Sequence, residues 1–217
     1  MAALPSQSLL HRLVPLAPVA GGAPLVAHQT ADLFGLWTTW EAECGERCGP
    51  PFWAVVWPAA NVLAGYLLAH PETVSGLRVL DLGCGGGIAG IAAAMAGARS
   101  VIANDVDAVA EHIVTLNARA NAVTLTLSAE DLTTTTERAP ADVVLVADMF
   151  YEQAPSRGMM AWLRASVSAG SRVLIADGGR PFSPTKGLLE VYSKRVTVSA
   201  DVEGVPERLV RVLELLR

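Results

Sequence analysis

The sequence predicts an α/β protein built on a mostly parallel, doubly wound sheet that closes with an antiparallel hairpin. Three observations point there. Beyond Thr73, short apolar runs alternate with helix-favouring segments. The first run is stopped by a cluster of glycines, "VLDLGCGGGIAG". Acidic residues recur where the runs stop, at Asp81, Asp105, Asp148 and Asp177, and the remaining run leads into Glu130 and Asp131. In such sheets a ligand lies beyond the carboxyl ends of the strands, so these positions carry the information about function.

The elements follow in order. A chain of 217 residues suits one domain with a full core. Its first third is punctuated by Pro and Gly and lacks strand alternation, so short helices and a loop through "CGERCGPP" are expected. Residues 1–50 are read as a helical and loop appendage partly facing the substrate, and 51–217 as the main domain. From Ala59 to Leu68 apolar residues continue around the helix, which suggests a helix covered on most sides. The uncharged stretch Pro50–Ala69 imitates a membrane span, but Pro50, Pro51, Pro58, Asn61 and Gly65 interrupt it, and no membrane association is expected. "LRVLDL" reads as a buried strand, and "IAGIAAAMAG" as a helix stopped by Gly97. "SVIAND" is a second strand. "DAVAEHIVTLNARAN" is a helix ending in a left-handed cap at Asn121. "AVTLTLS" and "ADVVLVAD" are further strands. "SRGMMAWLRASVSAG" is a helix with Ser156 as N-cap and Gly170 as stop, followed by the strand "SRVLIAD". "VYSKRVTVSADVE" and "ERLVRVLELL" read as a late hairpin, with helix the alternative for the second.

Composition excludes several functions. Net charge is −5, the pI is about 5.4, and no Lys/Arg cluster occurs, so no nucleic-acid partner is expected. Three cysteines make no disulfide framework, and Cys44-x3-Cys48 has no second pair to complete a zinc site, so no metal is expected and a reducing, cytoplasmic setting fits. The N-terminus has no basic region ahead of its apolar part and reads as no signal peptide. The four histidines have no carboxylate or serine partner at a recognisable spacing, and no G-x-S-x-G motif occurs. A monomer is expected.

The glycine cluster fits two fingerprints. From Gly85 it reads G-x-G-x-x-G, the pattern of a dinucleotide turn; from Asp81 it reads D-x-G-x-G-x-G. A dinucleotide would set its pyrophosphate over the following helix N-terminus, facing Asp81. Two like charges about 5 Å apart cost about 3 kcal/mol at an effective dielectric near 20. Counted from the strand end at Gly83, the third required glycine falls on Ile88. S-adenosylmethionine reverses the electrostatics: it carries a sulfonium and an ammonium and no phosphate. Asp81 then suits the ligand, Gly83 and Gly85 let the backbone pass close to it, Asp105 can accept the ribose hydroxyls, and Glu130 or Asp131 the adenine amino group.

On these residues the chain resembles the class I S-adenosylmethionine-dependent methyltransferases over about residues 50 to 180. Two more stretches narrow the resemblance: "PPFWAVVWPAA" ahead of the first main strand and "DMFYE" after the fourth. Together they resemble the lysine methyltransferases of the electron-transfer flavoprotein beta subunit and their bacterial relatives. "DGGRPF", Asp177 to Phe182, resembles that family's D-x-G-R segment, departing at Gly178, where proline is common. The resemblance implies a seven-stranded Rossmann-like sheet, S-adenosyl-L-methionine as cofactor, S-adenosyl-L-homocysteine as product and a protein substrate. It places Trp57 against the cofactor, Trp53 at the substrate, and Asp148 and Tyr151 as catalytic residues at the substrate amine. Each residue also has a plainer reading. Trp53 and Trp57 stand four apart, as two core positions would; Asp148 could cap a turn; Tyr151 could pack its ring. Methylation of a small amine or another protein side chain, and a cofactor-binding module without catalysis, remain alternatives to lysine methylation.

Overall fold

Alternation within the strands decides which helices cover which face of the sheet. The computed structural model describes residues 4–21, 24–134 and 141–217. The chain runs α1 (Gln7–Leu13), β1 (Leu16–Pro18), β2 (Val26–His28), α2 (Leu33–Cys44), a 3-10 turn (Phe52–Ala54) and α3 (Pro58–Ala69). It continues through β3 (Arg78–Leu82), α4 (Ile88–Met95), β4 (Ser100–Asn104), α5 (Ala108–Ala120), β5 (Thr126–Ser128) and β6 (Val143–Ala147). Then follow α6 (Gln153–Ser168), β7 (Arg172–Asp177), β8 (Leu188–Thr197), α7 (Ala200–Glu203) and β9 (Glu207–Leu215).

Seven strands form one sheet in the order β5-β4-β3-β6-β7-β9-β8. The first five run parallel; β9 is antiparallel to both β7 and β8. This is the doubly wound sheet with a C-terminal hairpin that the sequence predicts. In β6, Val143 and Leu145 pack with Val62, Leu63 and Leu67 of α3 and with Ala89 and Ala93 of α4. Val144 and Val146 pack on the opposite face with Met159, Trp162 and Leu163 of α6. A strand buried on both faces must read as an unbroken apolar run, which is how it appears in the sequence.

The late hairpin is present as expected, with β9 a strand rather than the alternative helix: Val210 and Val212 are buried while Arg211 between them is exposed. Several other local expectations are corrected. "AVTLTLS" forms a strand only over Thr126–Ser128. α6 starts three residues before Ser156, whose hydroxyl donates back to the Glu152 carbonyl at 2.5 Å instead of capping an N–H. Asn121 has φ −100°, and Ala122 takes the left-handed conformation at +56°. The Asn121 side chain is committed elsewhere: it accepts from Val26 N–H at 3.1 Å and donates to Val26 O at 2.7 Å. The N-terminal segment also contains the antiparallel pair β1–β2, whose three-residue strands are too short to show alternation. Among the described residues no helix is long and apolar enough to cross a membrane.

Two helical glycines should respond oppositely to alanine. A Cβ at Gly90 in α4 would lie 3.0 Å from Asp81 Oδ2 and 3.1 Å from a Leu125 methyl, whereas one at Gly65 in α3 meets nothing within 4 Å. Gly65→Ala should stabilise by about 0.4–1 kcal/mol and Gly90→Ala destabilise by about 1–3 kcal/mol, read as shifts in thermal midpoint.

Candidate active site

The carboxyl ends of β3, β4, β6 and β7 bring the acidic residues to one edge of the sheet. At the end of β3 the chain turns through Gly83, Gly85 and Gly87, with φ of +67°, +52° and +79°. Such values strain any residue with a side chain, so this turn needs its glycines. Crowding adds to the requirement at Gly83, where a Cβ would run into the Met149 thioether, and at Gly87, where it would meet both Val114 methyls at 3.0 Å. Over Gly85 the space is open, with only the Phe52 carbonyl near, at 3.9 Å.

Asp81 lies beneath this turn, only 2% exposed, and its Oδ2 accepts from Gly90 N–H at 2.8 Å. Burial, reinforced by the charge of Asp105 and opposed by that hydrogen bond, pushes the Asp81 carboxyl up to about 7. Asp105 follows β4. Its two oxygens accept from Gly85 N–H at 2.8 Å and Asp107 N–H at 3.0 Å, and burial raises its pKa. It therefore fixes the glycine turn. Asn104, one residue earlier, is buried and was not singled out from the sequence. Its amide donates to the Ser128 and Glu130 carbonyls at 3.0 and 2.9 Å, which ties the β5 exit to the β4 exit. Glu130 and Asp131 are both exposed. Asp131 accepts from Thr133 N–H at 3.1 Å and so closes its own turn, and no partner for the Glu130 carboxylate is found among the described residues.

Asp148 follows β6 directly in a left-handed conformation, φ +56°, uncommon outside glycine though best tolerated by Asp and Asn. The bend aims its carboxylate at the start of α3. That helix begins with Trp57 at its N-cap and Pro58 next, and has no side-chain cap of its own. Asp148 Oδ2 supplies one, accepting from Ala59 N–H at 3.1 Å, while Oδ1 accepts from Arg180 Nε at 2.9 Å. Burial raises the Asp148 pKa, and the charge of Arg180 and the Ala59 N–H oppose that rise. The plainer reading of Asp148 as a cap thus holds, for the start of α3.

Three rings stand around this carboxylate edge. Phe52 contacts Trp57 edge-on at a centroid distance of 5.6 Å and Tyr151 at 5.9 Å. Trp57 is fixed further by Nε1–H donating to Phe52 O at 3.0 Å and by the Arg180 guanidinium 5.4 Å over its ring. Tyr151 is 44% exposed, and partial burial raises its hydroxyl pKa. Trp53 is placed differently. It is 2% exposed, packs edge-on against Trp40 at 5.7 Å and belongs to the core beneath α2, so only its backbone approaches the glycine turn. Phe150 is fully buried.

A family model described as lysine methyltransferase matches residues 39–186. The chain belongs to the lysine methyltransferase family. It is 45% identical over 134 residues to the electron transfer flavoprotein beta subunit lysine methyltransferase of Xenopus laevis, covering 61% of this chain and 54% of that protein. The Danio rerio protein of the same name is 40% identical over 131 residues, 60% of this chain and 51% of that one. The chain thus spans about half the length of the curated relatives it matches. In fold it is similar to the N-methyltransferase NodS of Bradyrhizobium japonicum, solved with S-adenosyl-L-homocysteine, at a TM-score of 0.52 and 16% identity over 73% of this chain and 88% of that one. The match to the family model takes in both "PPFWAVVWPAA" and "DMFYE", the segments that Asp148 and Ala59 join.

The Asp81 carboxyl gives a pH signature. Its folded pKa of about 7 lies above the usual value near 3.9, so the folded state keeps a proton that the unfolded chain has lost. Its contribution to stability therefore falls as pH rises from about 4 to about 7 and is flat above. Asp81→Asn removes that decline, and the thermal midpoint of the variant relative to the parent should rise between pH 4.5 and 8; a constant difference would show that Asp81 is ionised throughout.

Proposed function

We propose that the chain is an S-adenosylmethionine-dependent methyltransferase acting on lysine side-chain amines of a protein substrate of the electron-transfer flavoprotein beta-subunit type. The observation that carries this reading is the packing of Met149 on Gly83, which seats "DMFYE" directly against the glycine turn. A ligand site and a candidate amine site thereby share one wall. The donor set fits a cationic cofactor: residues 81–90 and 104–107 contain three Asp and no Lys or Arg. Trp57, Gly83, Gly85, Asp105 and the exposed Glu130 are read as its surroundings, with Asp81 supporting the turn from below and Asp131 at the margin. Residues 1–50 are read as an appendage and 51–217 as the catalytic domain. A monomeric chain in a reducing cytoplasm completes the reading, and the three free thiols support that setting.

When bound, S-adenosylmethionine supplies a methyl group on a cationic sulfur and leaves as S-adenosyl-L-homocysteine. The protein's task is to align a neutral amine behind that methyl group. Bringing a lysine from a pKa near 10.4 to its neutral form at pH 7 costs about 4–5 kcal/mol. Partial burial among Phe52, Trp57 and Tyr151 lowers that cost by disfavouring the ammonium. Asp148 accepts a hydrogen bond from the amine and orients its lone pair; the displaced proton leaves through water.

Calorimetric titration with S-adenosyl-L-homocysteine tests the cofactor, and no heat at high ligand concentration would end the reading. Asp105→Ala should weaken that binding by about 1.5–3 kcal/mol, because the ribose hydroxyls lose a charged acceptor.

The substrate side is tested on whatever protein the enzyme labels in its own cell lysate. Asp148→Asn should leave cofactor affinity nearly unchanged and lower kcat/KM about a hundredfold. Tyr151→Phe should cost less, since its ring survives. Normal turnover in Asp148→Asn would leave Asp148 only as the cap of α3.

A further inference from the structure

Asp148 belongs to a continuous chain of alternating charges. Arg180, in the loop after β7, donates to Asp148 Oδ1 and reaches Glu203 with both terminal nitrogens, at 3.1 and 2.9 Å. Glu203 closes α7 and takes Arg208 Nε from β9 at 2.6 Å. Arg208 also donates to the Glu203 and Gly178 carbonyls, at 2.8 and 3.2 Å. The Asp148, Arg180 and Glu203 side chains are 5%, 14% and 3% exposed, so solvent screens this chain little. The remaining neighbour is Asp177, whose Oδ1 accepts from Gly179 and Arg180 N–H at 2.6 and 3.0 Å and so sets the backbone of Arg180. Two negative and two positive side chains alternate in the order Asp148, Arg180, Glu203, Arg208.

We propose that Arg180 is a positioning residue for methyl transfer: it holds Asp148 ionised and aimed, while Glu203 and Arg208 keep the guanidinium from swinging out. The inference rests on the reading of Asp148 as the acceptor of the substrate amine. An ionised carboxylate offers about four lone-pair directions. Ala59 and Arg180 occupy one on each oxygen, so others remain for an amine. Arg180 also cancels the charge of Asp148. An unpaired carboxylate would hold an incoming lysine as its ammonium, which has no lone pair to attack with. A neutralised carboxylate still accepts a hydrogen bond and favours the reactive amine. Through its contact with Trp57, Arg180 joins the amine side of the site to the cofactor side.

The test replaces Arg180 by Met and by Lys. With Arg180 gone, burial favours protonated Asp148, so the acidic limb of the kcat/KM profile should move up by about one pH unit or more. Arg180→Met should lose about ten- to a hundredfold in kcat/KM at pH 7 and recover part of it at pH 9, with S-adenosyl-L-homocysteine affinity within about twofold of the parent. Arg180→Lys, which keeps the charge, should return the limb close to its parental position. A uniform loss with an unshifted limb would overturn the proposal and leave Arg180 a packing residue. A second readout needs no turnover. The stability gap between parent and Arg180→Met should widen from pH 5 to 8, as Asp148 ionises unpaired, and the widening should vanish when both proteins also carry Asp148→Asn. A gap that ignores pH, or one that widens equally without Asp148, overturns the pairing itself. Normal turnover in Asp148→Asn with that pH-dependent gap intact would instead reject the role of Asp148 in binding the amine. Should Arg180→Met not fold, Arg180→Gln, which keeps a donor without the charge, carries the same expectations.

Discussion

The carboxylate of Asp148 accepts one hydrogen bond from Ala59, 89 residues away in sequence, and another from Arg180, 32 residues away. Those two bonds fasten the start of α3 and the loop after β7 to the end of β6. A buried charge is tolerated only when its partners are well placed, and here the partners are the start of α3 and the loop after β7. The left-handed backbone of Asp148 follows from the same demand, because the bend points the side chain at an N-terminus that has no cap of its own. Strain at one residue is held in place by bonds to two others.

The architecture was legible in the sequence because the central strands β3, β6 and β7 are buried on both faces. An unbroken run such as Val143 to Val146 has few other readings between polar borders. The strand ends were legible too, since an acid beside a glycine turn or after an apolar run is conspicuous. What stayed hidden depends on distant pairing. Arg180 reads as a loop cation until Asp148 and Glu203 are brought to it, and Asn104 reads as a strand end until Ser128 and Glu130 arrive. Ser156 and Asn121 were misread for the same reason in reverse, because a cap preference is a local tendency and both side chains had other bonds to make. Trp53 carries no local mark separating it from Trp57; the core contact with Trp40 decides, and that contact joins α2 to the 3-10 turn.

The glycine cluster satisfied two fingerprints, and the structure shows why both could be read. Gly83, Gly85 and Gly87 are needed for left-handed backbone. Gly90, the residue that completed the dinucleotide pattern, sits in regular helix and is needed because Asp81 comes so near. Close packing of a helix on a strand is the demand that fills the third glycine in dinucleotide folds as well. A shared packing constraint, with different ligands above it, makes the two patterns overlap.

Asn117, on α5, is fully buried and bonded on both sides: its oxygen accepts from His28 N–H at 2.7 Å and its amide donates to Gly86 O at 2.9 Å. One side chain therefore stitches the β1–β2 hairpin to the glycine turn. For anyone redesigning the molecule, β2 is a structural partner of α5 and, through it, of the glycine turn. Removing β2 would strip α5 of the backbone partners of Asn117 and Asn121, and the slack would appear at the turn. Exchanging this arm between relatives would succeed only where an asparagine, or a side chain of the same reach and hydrogen-bonding capacity, travels with it.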